Sequence, residues 1–118
     1  MREGATMYSE IRLVGGGIKI SYGLNPKIIA GIKIIAEKYS VSKIVLFGSR
    51  ARGDNNPKSD IDVAIYTMPE FESKGHFASD IEELETLLKI DTVFISKDTD
   101  EKLIKNIQRE GVVIYERL

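Results

Sequence analysis

The sequence predicts a mixed α/β domain, a central mixed sheet with helices packed against it. Three observations predict it: apolar residues recur at helical spacing in three stretches, short β-branched runs lie between them, and helices and strands alternate along the chain.

Each element carries a local signal. Asn25 supplies a capping side chain and Pro26 suits a first helical turn, after which Ile28, Ile29, Ile32, Ile35, Ala36 and Tyr39 fall on one stripe. Residues 43–47 form a short apolar run stopped by Gly48, the pattern of a strand buried on both faces. A second strand is expected over 60–66. Residues 74–88 place Phe77, Ile81, Leu84 and Leu88 on one helical face, and a third strand follows over 91–95. Asp98 and Glu101 suggest a capping box ahead of Leu103, Ile104 and Ile107; Gly111 ends that helix before a last strand over 112–115.

The organisation is one domain over residues 25–118, preceded by an extension over 1–24 that reads either as a hairpin or as a loose segment. Its triplet Gly15, Gly16, Gly17 lacks the Lys-Ser or Lys-Thr pair of a phosphate loop and is read as a turn.

Bulk composition excludes several classes. Seventeen basic against eighteen acidic side chains give a net charge of −1, so no positive surplus is available for long nucleic acid. No apolar run approaches the roughly 20 residues needed to cross a bilayer, and no membrane association is expected. The first residues lead into no apolar signal-peptide core and the chain has no cysteine, so a cytoplasmic setting is expected. Self-association is left open.

The chemistry is concentrated in Gly48, Ser49, Arg50 and Arg52, followed after a polar turn by Asp60 and Asp62. Alternation along a strand puts Asp60 and Asp62 on one face and Ile61, Val63 and Ile65 on the other. Two adjacent carboxylates repel unless a cation lies between them, and oxygen donors of this kind suit Mg²⁺, which also binds through substrate phosphates. Gly48 lets a phosphate approach the backbone, and Ser49 donates through its hydroxyl and N–H. If residues 49–53 begin a short helix, its N-terminus faces that anion. Arg50 and Arg52 point in different directions on a helix, so one of the two is expected to reach phosphate. Asp91 opens the next apolar strand, where a charge is otherwise unwelcome, and is the candidate third acid, holding a metal or accepting a proton. The bland alternatives are solvated boundary acids for the aspartates and ordinary surface charge for the arginines. His76, the only histidine, has no ligand partner at useful spacing and is given no role.

Gly48-Ser49, ten residues, then Asp60-Ile61-Asp62 resembles the signature of the polymerase-beta-like nucleotidyltransferase superfamily. Within it the chain is most similar to the minimal nucleotidyltransferases paired with HEPN-domain proteins, from about residue 25 to the end. The resemblance implies a palm-like domain, with Asp60, Asp62 and Asp91 as catalytic residues and metal ligands, Gly48 and Ser49 as triphosphate contacts, and two Mg²⁺ ions. It implies transfer of a nucleoside monophosphate, AMP from ATP, to a hydroxyl. In members paired with a HEPN toxin that hydroxyl is a tyrosine of the toxin, and the small protein is an antitoxin. The competing reading is a non-catalytic module that neutralises or scaffolds a HEPN-type partner by contact.

Overall fold

The computed structural model describes residues 24–84 and 87–117. The readings placed on residues 1–23, the hairpin and the glycine turn among them, lie outside the described residues.

Helix α1 (Pro26–Lys38) starts as its sequence requires. Asn25 accepts a hydrogen bond from the Lys27 N–H at 2.9 Å, Pro26 occupies the first turn, and Ile28, Ile32, Ile35 and Ala36 are buried. Strand β1 (Val41–Phe47) leads through a single turn, α2 (Ser49–Arg52), and a polar loop to β2 (Ile61–Thr67). Then come α3 (Lys74–Glu82), β3 (Ile90–Phe94), α4 (Glu101–Glu110) and β4 (Val112–Glu116). The sheet order is β3-β2-β1-β4, with β1 antiparallel to both of its neighbours and β2 parallel to β3. The sheet is therefore mixed, and its parallel pair is joined through α3, since parallel neighbours need a crossover connection.

Alternation along the two central strands sorts the core. Ile44 and Leu46, with Ile61, Val63 and Ile65, pack with Ile28 and Ile32 of α1 and Phe77 and Ile81 of α3. Val45 and Ala64 face the other way, where Ile107 of α4 covers them. The sheet is thus sandwiched, which is why both central strands are almost continuously apolar. Phe77, fully buried, meets Tyr39, Phe94 and Phe71 with ring centroids 5.4, 5.9 and 6.3 Å away. Tyr39 also donates to Asp80 at 2.6 Å, tying the end of α1 to α3. Phe77→Ala is expected to cost about 3–5 kcal/mol, read as a lower urea midpoint.

Two sequence expectations need correction. Helix α3 ends at Glu82, not Leu88, although Leu84 and Leu88 still pack on the main core. Their apolar spacing reflects contact with that core from non-helical backbone: Leu84 lies over Gly31 of α1, where an added Cβ would stand 2.7 Å from its Cδ2. Helix α4 is capped by Asp100, which accepts from the Leu103 N–H at 3.3 Å. Asp98 belongs to the preceding turn, in which its N–H donates to Ser96 and the Ser96 N–H donates to Thr99. Gly111 ends α4 at φ −71, with no left-handed residue. Its missing side chain serves packing instead, because a Cβ there would collide with Val45 and with the Ile107 carbonyl. The end of α4 is consequently pressed onto β1.

Candidate active site

The site lies at the end of β1 and the beginnings of β2 and β3, on the α4 side of the sheet. Gly48 follows β1 with φ 77 and ψ −158, a backbone region that only glycine occupies without strain. A Cβ at this position would stand 2.5 Å from Asp62 Oδ2, so the missing side chain is also what allows the carboxylate to rest against the turn. The turn closes through the Arg52 N–H to the Gly48 carbonyl at 3.1 Å and the Gly53 N–H to the Ser49 carbonyl at 2.9 Å. Ser49, half-buried, opens α2 directly after this cradle.

Register brings the acids together. Asp62 is the Cα partner of Phe47 on β1 and of Asp91 on β3, so Asp62 and Asp91 occupy neighbouring positions on one face of the sheet. The Ile61 N–H donates to the Lys89 carbonyl at 2.9 Å and locks that register at the strand entrance. Asp60 sits just before β2 and is exposed, whereas Asp62 and Asp91 are half-buried. Burial holds the Asp62 carboxyl above its ordinary range; the charges of Asp91 and then Asp60 push the same way, and Arg52 opposes them. Asp62 is therefore the electrostatic centre of the cluster.

The two arginines separate. Arg50 is 1% exposed; its Nε donates to the Ser59 carbonyl at 3.1 Å, and its Nη2 donates to the carbonyls of Ser59 at 2.9 Å and Pro57 at 3.2 Å. As a candidate phosphate contact it is corrected by this burial: the guanidinium faces inward and fixes the loop that delivers Asp60. That loop is further shaped by Asn56, whose side chain accepts from the Lys58 N–H and whose own N–H donates to Ser59 Oγ. Arg50→Met keeps most of the packing volume but orphans two carbonyls. It is expected to cost about 3 kcal/mol, measurable by chemical denaturation. Arg52 stays 43% exposed at its side chain and is held by Asp54 at 3.0 Å and Glu110 at 3.1 Å.

Sequence reasoning passed over three charged neighbours: Asp54, Glu110 and Lys89. Lys89 pairs with Asp91 at 3.2 Å, and that hydrogen bond, with the charge of Asp91, raises the lysine pKa. For Glu110 a signal existed, since an acid in the last turn of a helix opposes the helix dipole and wants a cation.

Among the described residues no three acidic, histidine or cysteine side chains already form a metal cage. The in-register pair Asp62 and Asp91, with Asp60 nearby, still fits Mg²⁺, which binds through one or two carboxylates and takes its remaining ligands from water and phosphates.

A glycine-serine turn set against aspartates at the strand ends of a mixed sheet is the arrangement of a nucleotidyltransferase. Residues 30–118 match the family model described as Polymerase beta, Nucleotidyltransferase, and the chain belongs to that family. It is 35% identical over 83 residues to MJ1379 of Methanocaldococcus jannaschii, named a protein adenylyltransferase, covering 61% of this chain and 83% of that protein. It is 46% identical over 41 residues to MJ0128 of the same organism, also so named, covering 33% of this chain and 42% of that protein. The fold is similar to a chain of a toxin-antitoxin crystal structure with AMP-PNP, at a TM-score of 0.60, 20% identity, and coverage of 80% of this chain and 75% of that one. It is also similar to a chain of the toxin-antitoxin MntA-HpeT, solved as a variant with two aspartate-to-glutamate substitutions. There the TM-score is 0.59 and the identity 18%, with the same coverage. Among the described residues no helix is long and apolar enough to cross a membrane.

Proposed function

We propose that this nucleotidyltransferase transfers AMP from ATP to a hydroxyl, in the presence of Mg²⁺, on a HEPN-type toxin partner, and so acts as an antitoxin. The observation that carries the site is Asp62 in register with Asp91 and resting against Gly48. The protein adenylyltransferase names of the two relatives support AMP as the group moved, and the toxin-antitoxin neighbours support the kind of partner.

Each residue has a defined task. Gly48 leaves room for the triphosphate against the backbone, and Ser49 donates to it. Arg52 places a fixed positive charge beside the phosphates. Asp60, Asp62 and Asp91 would hold up to two divalent ions, which when bound neutralise charge on the attacking and leaving oxygens. The acceptor oxygen forms a bond to the α-phosphorus, the bond to the bridging oxygen breaks, and pyrophosphate departs with that electron pair. The acceptor proton passes to a carboxylate, the role assigned to Asp91 in this reading, and then to solvent.

The test offers the four α-labelled nucleoside triphosphates, with Mg²⁺, to the protein and its HEPN-type partner. Label from ATP on a partner tyrosine is expected. Tight complex formation with no label from any nucleotide would replace this reading with that of a non-catalytic neutralising module.

A further inference from the structure

The cation beside the aspartates is itself held in place. Arg52 Nε donates to Asp54 at 3.0 Å and its Nη1 donates to Glu110 at 3.1 Å, while Nη2 has no hydrogen-bond partner among the described residues. The two acids come from different parts of the fold: Asp54 follows the turn after α2, and Glu110 is the last residue of α4. Glu110 is only 20% exposed at its side chain, and its second oxygen lies 3.6 Å from Arg109. Its position depends on Gly111, whose missing Cβ lets the end of α4 close on β1.

We infer that Glu110 is a positioning residue: with Asp54 it fixes the Arg52 guanidinium so that Nη2 is presented to the nucleotide's phosphates. An unrestrained arginine loses much rotamer freedom when it captures a phosphate, whereas a side chain already clamped at two nitrogens has lost that freedom before the ligand arrives. The acid on α4 thus acts through Arg52, and no contact between Glu110 and the nucleotide is required. This inference rests on the nucleotide-site reading given above.

Binding of a non-hydrolysable ATP analogue with Mg²⁺ to the full chain tests it, using Glu110→Gln, Arg52→Met and the double variant, each checked for folding by circular dichroism. Glu110→Gln is expected to weaken binding roughly two- to tenfold, the effect of one unrestrained rotamer-rich side chain. It is expected to have no further effect in the Arg52→Met background. Equal weakening in both backgrounds would overturn the inference, because Glu110 would then act by another route. Unchanged or tighter binding by Glu110→Gln, with Arg52→Met impaired, would also overturn it while leaving the nucleotide site intact. Failure of the wild-type chain to bind the analogue would remove the site and the inference together.

Discussion

Asp62→Asn is expected to lower nucleotidyl transfer by a factor of at least about 100, the scale on which loss of one group stabilising transition-state charge is felt. The same substitution is expected to make the metal-free fold more stable at neutral pH. Asp62 has a folded pKa raised above its ordinary 3.8 by burial and by Asp91 and Asp60. Below the unfolded value it is protonated in both states and has no effect. Above the folded value it is charged in both, and the folded state carries the full cost of a partly desolvated, repelled carboxylate. Melting temperatures of the variant and the wild type should therefore converge at acidic pH and separate, with the variant higher, toward pH 7. Adding Mg²⁺ should stabilise the wild type more than the variant. A carboxylate whose charge destabilises the metal-free fold is the expected signature of a functional group.

Gly48→Ala is expected to damage stability and activity together. The φ of 77 and ψ of −158 cost a side chain about 1–3 kcal/mol, and the new Cβ would stand 2.5 Å from Asp62 Oδ2, so the carboxylate must move. The two contributions can be separated. Asp62→Ala removes the colliding oxygen, so Gly48→Ala should cost less in that background than in the wild type, with the backbone strain left over. Equal costs in the two backgrounds, measured by denaturant unfolding, would show that Gly48 is required for its dihedrals alone.

Much of the site was legible because it is built from local rules. Strand alternation is enough to turn Asp62 away from the core face of Ile61 and Val63, and a glycine that ends an apolar run is enough to mark the turn, but Asp60 precedes β2 and is not positioned by that alternation. The placement of Asp91 beside Asp62 needed the parallel register of β2 and β3, which the alternation of elements suggests without fixing. Where sequence reasoning fell short, the deciding contacts lay outside the few residues that carry the local signal. That Arg50 turns inward and Arg52 outward depends on the loop carbonyls of Pro57 and Ser59 and on Glu110, 58 positions away. The apolar spacing past Glu82 was read as helix because a residue packed on the core keeps the same periodicity whether its backbone is helical or not. Asp98 and Asp100 are chemically equal caps; the Ser96 and Thr99 turn decides between them.

The most direct test of the site is calorimetric titration of Mn²⁺, in place of Mg²⁺, into the protein saturated with a non-hydrolysable ATP analogue, comparing the wild type with Asp62→Asn. Binding that depends on Asp62 is predicted, weakened by about tenfold or more in the variant, in line with a lost carboxylate ligand. A folded Asp62→Asn protein that binds Mn²⁺ as tightly as the wild type would contradict the assignment of Asp62, Asp91 and Gly48 as the centre of the active site.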